Sequence, residues 1–60
     1  MTLAELRKAL ADKTKGLSDL QTKAFADGAT QEDTDALQKA LDEIDGINAK
    51  IALAERAENA

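Results

Sequence analysis

Cysteine, histidine and proline are absent from this chain of 60 residues, and Phe25 is its one aromatic residue. Because cysteine and histidine are missing, there is no disulfide framework, no zinc site of thiolates or imidazoles, no cysteine nucleophile and no histidine acid or base. A β-sandwich or barrel uses far more aromatic and β-branched residues. These absences leave a small helical chain with few of the groups that catalysis requires.

Large apolar side chains are also scarce. The 26 hydrophobic residues include 13 alanines, which leaves eight leucines, three isoleucines, Met1 and Phe25. A chain of 6.4 kDa has a core too small for more than marginal stability without a disulfide or a metal. We therefore expect contact with other chains, or with further parts of the same chain, to supplement the core, and we interpret the sequence as an interaction element.

The charge balance is acidic, with eight Lys and Arg against twelve Asp and Glu and a net charge of −4. Such a chain, with one aromatic residue, has neither the basic surface nor the stacking side chains that nucleic-acid binding needs. No apolar run approaches the length of a membrane span, and the first residues lack the apolar core of a signal peptide. We expect a cytoplasmic protein with no nucleic-acid partner and no membrane partner.

A first helix is predicted over about residues 3–27. Thr2 and Glu5 have the spacing of a capping box, in which each side chain accepts a bond from the other residue's backbone N–H. Apolar residues then recur at steps of three, four and seven, as on one face of a helix: Leu3, Leu6, Leu10, Leu17, Leu20 and Ala24. Lys13 interrupts this face. Gly28 is predicted to end the helix in the left-handed conformation and to open a turn over about residues 28–30.

A second helix is predicted over about residues 31–57. Thr30 and Asp33 repeat the capping signal, and Glu32 and Asp35 suit the positive end of the helix dipole. The apolar residues alternate steps of three and four, which is typical of a coiled-coil seam: Leu37, Ala40, Ile44, Ile47, Ile51 and Ala54. Gly46 lies inside this helix, where it either marks a bend or a close approach of another backbone or is simply tolerated.

The two helices are predicted to pack antiparallel, because a link of only about three residues joins them. The two apolar faces then match as one seam: Leu3, Leu6, Leu10, Leu17, Leu20, Leu37, Ala40, Ile44, Ile47, Ile51 and Ala54. Lys13 is the one discordant position, and we expect it to lay its stem on Ile44 and lift its ammonium group to solvent. The predicted fold is all-α, a coiled-coil-like antiparallel two-helix hairpin with the capacity to oligomerise.

Four residues outside the seam form a candidate association flank: Phe25, Leu41, Asn48 and Leu53. Phe25 either folds over the turn onto Leu37 or Leu41 or stays outside the seam. Leu41 and Leu53 lie on flanks where a third helix could dock. Asn48 either fixes the register of an oligomer or is simply solvated.

No constellation of residues indicates an enzyme. The acidic clusters at 32–35 and 42–45 lack the alternating oxygen ligands, the glycine and the final glutamate of a calcium loop. A two-helix rod offers no cleft in which one carboxylate of a catalytic pair could be desolvated. The isolated glycines form no phosphate-binding loop. We predict no catalytic, cofactor-binding or metal site and no cofactor.

Residue patterns along both helices point to one family. The first helix opens as Leu3-x-Glu5-Leu6-Arg7; the second begins Thr30-x-Glu32-Asp33 and continues through Leu37, Glu43-Ile44-Asp45-x-Ile47-x-Ala49-x-Ile51 and Ala54-Glu55-Arg56. This pattern resembles the N-terminal region of the major capsid proteins of tailed bacteriophages and prophages, over nearly the whole chain. Ala40 and Gly46 depart from the family pattern, which has a larger apolar residue and an alanine at these positions.

The resemblance implies a scaffolding segment, or delta-like domain, that precedes the shell-forming domain of a longer protein. In the family, this segment lies inside the procapsid, in the cytoplasm of the bacterial host, and guides subunits into the right geometry. It is often removed by a phage protease before DNA is packaged. The implied partners are further copies, other capsid subunits and that maturation protease. The implied packing positions are Leu37, Ile44, Ile47 and Ile51, with Glu43 and Arg56 as polar contacts between subunits.

A second interpretation stays open, namely a free-standing helical hairpin that acts as an adaptor or regulator by binding a partner protein. The two interpretations differ in self-association. A scaffolding segment is expected to associate with its own copies as concentration rises, whereas an adaptor needs only its partner.

Overall fold

The computed structural model describes residues 1–60 and contains two α-helices and no strand. Helix α1 spans Leu3–Ala24 and helix α2 spans Gln31–Asn59. They pack as an antiparallel pair, which brings Arg7 near Glu55 and Lys13 near Glu43. The resulting rod measures 49 × 15 × 14 Å along its principal axes. The predicted all-α hairpin is confirmed.

Both helices begin with a capping box, as predicted. The Thr2 hydroxyl accepts a bond from the Glu5 N–H, and the Glu5 carboxylate accepts one from the Thr2 N–H, both at 3.1 Å. Thr30 and Asp33 make the same two bonds, at 3.3 and 3.1 Å. The bonds satisfy backbone donors that have no partner in a first helical turn, so each box fixes where its helix starts. These contacts hold the pKa of the Glu5 carboxyl group below its ordinary value. The hydrogen bond from the Thr2 N–H has the larger effect and the Thr2 hydroxyl the smaller one.

The end of α1 differs from the sequence prediction. The helix ends at Ala24, three residues before the predicted residue 27, and Phe25 is its C-cap. A separate turn follows, closed by a bond of 3.0 Å from the Ala29 N–H to the Ala26 carbonyl. Gly28 lies in this turn with φ of +87°, so its left-handed conformation serves the turn instead of the helix end. The chain therefore reverses over residues 25–30, and α2 runs two residues beyond the predicted residue 57.

The interior of the hairpin is a single layer of side chains between the helices. Leu6, Ala24 and Leu37 are its buried residues, at 5%, 6% and 8% exposure. Every other large apolar side chain is half-buried or exposed. Because a pair of helices covers only one stripe of each, most of the surface of both helices remains in contact with solvent.

Gly46 in α2 and Gly16 in α1 have open space around them. Apart from the neighbouring residues and the nearby backbone of the same helix, no atom lies within 4 Å of the position that a Cβ would occupy at either residue. Neither glycine therefore permits a close approach within the hairpin. Of the interpretations of Gly46, tolerance of a glycine in a helix fits the hairpin, at a cost of about 1 kcal/mol relative to alanine.

Candidate association surfaces

The predicted seam residues lie between the two helices. Leu6 and Leu37 are buried. The remaining nine are half-buried: Leu3, Leu10, Leu17, Leu20, Ala40, Ile44, Ile47, Ile51 and Ala54. Their packing holds the hairpin together, so any surface for a partner has to be found among the side chains that this packing leaves outside.

The structure divides the predicted flank into two surfaces. Leu41 and Asn48 are seven residues apart and share one stripe of α2. Leu53 follows Leu41 by twelve residues, which turns the helix by about 120°. It lies on the opposite side of the hairpin, beside Met1. These residues were predicted as one group because all of them lie outside the seam. The side of the helix on which each of them lies separates them into two surfaces.

The first surface is termed the Leu41 face. On α2 it follows steps of four and three through Leu37, Leu41, Ile44, Asn48, Ile51 and Glu55. On α1 the matching stripe is Leu3, Arg7, Leu10, Thr14, Leu17, Gln21 and Phe25. The stripes meet on one side of the hairpin, since Arg7 and Glu55 approach within 3.7 Å. Leu41 is 39% exposed and Phe25 76% exposed, so Phe25 stays outside the seam instead of folding over the turn.

The second surface is termed the Met1–Leu53 groove. It is an open cavity of about 400 Å³ at the end of the rod away from the turn, lined by Met1, Leu6, Lys50, Leu53, Ala54 and Ala57. Met1 is 81% exposed and Leu53 65% exposed. Met1 is apolar and precedes the first helix by only two residues, but the periodic pattern of the sequence does not include it. The groove gathers two of the four exposed large apolar side chains at one end of the rod.

Lys13 and Glu43 form an ion pair across the helices at the middle of the rod. The Lys13 ammonium group donates to Glu43 Oε2, and this bond, together with the charge of Lys13, holds the pKa of Glu43 below its ordinary value. The sequence pattern predicted that the Lys13 ammonium group reaches solvent, but it did not predict the carboxylate partner. Glu43, which the capsid resemblance implies as a contact between subunits, is engaged within the hairpin. Arg56, the other implied contact, forms no ion pair here.

No three acidic side chains converge in a way that could hold a metal ion, and no buried side-chain polar atom lacks a hydrogen-bond partner. The Leu41 face and the Met1–Leu53 groove hold the large apolar side chains that the packing of the two helices leaves exposed. Neither α1 nor α2 has a stretch apolar enough to span a membrane.

No family model matches the chain, and the comparisons with curated proteins and with solved structures found no match either.

Proposed function

We propose that this chain is a non-enzymatic association module that serves as the scaffolding segment of a phage major capsid protein. Copies of the hairpin bind one another through helix–helix contacts and so bring the attached capsid subunits together during procapsid assembly. The segment acts inside the procapsid in the bacterial host, and it is a candidate for removal by a maturation protease.

The observation that carries this proposal is the mismatch between the apolar side chains and the core. Three residues are buried, while Met1, Phe25, Leu41 and Leu53 remain 39–81% exposed. Full burial of one such side chain is worth roughly 1.5–3 kcal/mol, and the isolated hairpin leaves that stabilisation unused. A second helical surface would supply it, which favours a role in association.

The capsid assignment is supported by the resemblance of both helices to the N-terminal region of phage major capsid proteins. The acidic helix α2 and the slender rod of 49 Å are compatible with a segment that lines the inside of a shell. This capsid role is more specific than the association role, and it is tested separately.

The natural gene and its product provide that test. The proposal predicts a reading frame that continues past Ala60 into a large shell-forming domain, and a protein that is far heavier than 6.4 kDa before maturation. Deletion of residues 1–60 from that protein is then expected to leave the shell domain folded but to prevent closed procapsids, as judged by electron microscopy. A stop codon after Ala60 would contradict the capsid assignment and favour the adaptor.

A further inference from the structure

We propose that the Leu41 face binds a second copy of the same chain side by side, with both turns at the same end, to complete a four-helix bundle. This inference rests on the proposed association function and adds the surface and the orientation. In the bundle, α1 of each copy lies against α2 of the other, and neighbouring helices are antiparallel.

The Leu41 face offers large apolar side chains along most of the rod. Leu10, Leu17 and Ile44 are half-buried between the helices, so part of each remains accessible. Leu41 and Phe25 extend this surface toward the turn and are more exposed. A helix that lies along the face would therefore meet apolar contacts over several turns, as in the core of a four-helix bundle.

The opposite side of the hairpin is less suited to a long helical partner. At mid-length it has a shallow depression of about 410 Å³ with Gly16, Ala36 and Ala40 in its lining. The Lys13–Glu43 pair borders the same depression. A partner helix there would find small side chains and would have to desolvate an ion pair at mid-length, which is costly. The ion pair of the Leu41 face, Arg7–Glu55, lies instead toward the end of the rod away from the turn.

The accessible area of the hairpin leaves room for an interface of standard size. The chain exposes 4575 Å², whereas a compact monomer of this mass is expected to expose roughly 3,800 Å². The surplus, about 800 Å², equals the area that each partner buries in an interface of standard size.

Charge selects the orientation. Helix α1 carries five basic and three acidic residues, a net +2, and α2 carries three basic and eight acidic residues, a net −5. With the turns at the same end, each α1 lies on an α2 of opposite charge. With the turns at opposite ends, α2 would lie on α2 and like charges would face each other, which is unfavourable.

Particular side chains at the edges of the face agree with this orientation. Lys8 and Lys15 are seven residues apart on the outer edge of α1, and Asp45 lies on the outer edge of α2, four residues after Leu41. None of the three forms an ion pair within the hairpin. In the same-end bundle, the lysine edge of one copy runs along the aspartate edge of the other.

The surface is tested by sedimentation equilibrium of the chain, the Leu41→Glu variant and a matched Leu53→Glu control on the opposite side. We expect Leu41→Glu to raise the dissociation constant at least about tenfold and Leu53→Glu to leave it nearly unchanged. Loss of association in Leu53→Glu alone, or equally in both, would overturn the assignment of the surface. Should Leu41→Glu fail to fold by circular dichroism, Phe25→Ala replaces it, because Phe25 is 76% exposed in the hairpin, and the same weakening is expected.

The orientation is tested by the distance between two spin labels, one on each copy. Because the chain has no cysteine, a single introduced cysteine is the only site that is labelled. A nitroxide on Ala26→Cys, in the turn, is measured by pulsed electron resonance. Packed helix axes lie about 10 Å apart, so turns at the same end place the two labels within about 25 Å of each other. A distance near the 49 Å length of the rod would overturn the orientation, while the proposed association would still stand. A strict monomer up to millimolar concentration would overturn both.

Discussion

At the scale of single residues, Lys13 shows how the hairpin tolerates a charge where the apolar pattern requires a hydrophobic side chain. It remains at the surface and reaches Glu43 on the facing helix. A pair this exposed contributes little to stability and is screened by salt. The sequence predicted the exposed ammonium group, because a lysine stem can snorkel, but it could not predict the partner, which lies thirty residues away and depends on the rotation of both helices.

We expect the titration of Glu43 to report this pair. Because Lys13 stabilises the carboxylate, the pKa of Glu43 in the folded hairpin lies below its ordinary value of 4.5. The stabilisation is therefore present at neutral pH and is lost as the pH falls through the folded pKa. Carbon NMR of the Glu43 carboxyl group should give a higher midpoint in Lys13→Gln than in the unchanged chain. Lys15→Gln, which removes an unpaired lysine, serves as the control; an equal effect of both variants would contradict the pair.

At the scale of the helices, beginnings were predictable and one end was not. A capping box involves side chains three residues apart, so Thr2 with Glu5 and Thr30 with Asp33 are visible in the sequence. The end of α1 depends instead on how the turn closes. Gly28 correctly indicates a left-handed residue, but the bond from Ala29 to Ala26 forms a separate turn around it and leaves the helix three residues shorter.

Replacement of Gly46 by alanine is expected to stabilise α2. The site has room for a Cβ, and a glycine inside a helix costs roughly 0.5–1 kcal/mol relative to alanine. Thermal unfolding followed by circular dichroism should show a midpoint several degrees higher in Gly46→Ala. Gly28→Ala is the matched control and should lower the midpoint, since φ of +87° is unfavourable for alanine. A lower midpoint in Gly46→Ala would reveal a close contact at this glycine that the isolated hairpin does not show.

At the scale of the whole molecule, periodicity predicted the architecture. Two apolar stripes joined by a short link favour burial against each other, so the hairpin and its eleven seam positions were accessible from the sequence. The division of the flank into the Leu41 face and the Met1–Leu53 groove was not. It requires the direction of each side chain around its helix, and for Met1 a position ahead of the first helix.

The antiparallel pairing itself is tested by a charge in the seam. Ile47→Asp places a carboxylate in a half-buried position between the helices, where burial without a partner is strongly unfavourable. We expect most of the helical signal in circular dichroism to be lost. Ala49→Asp, an exposed position on the same helix, should retain it. Cooperative melting in Ile47→Asp would refute the pairing.

The proposed association completes the small core of the hairpin. Its most direct test is the thermal unfolding midpoint of the unchanged chain, measured by circular dichroism from about 10 μM to about 1 mM protein, because binding to the folded state makes that midpoint depend on concentration. We expect a midpoint that rises steadily over this range, together with a single cooperative transition. A midpoint independent of concentration would contradict this expectation and would show that the hairpin is stable without a second copy.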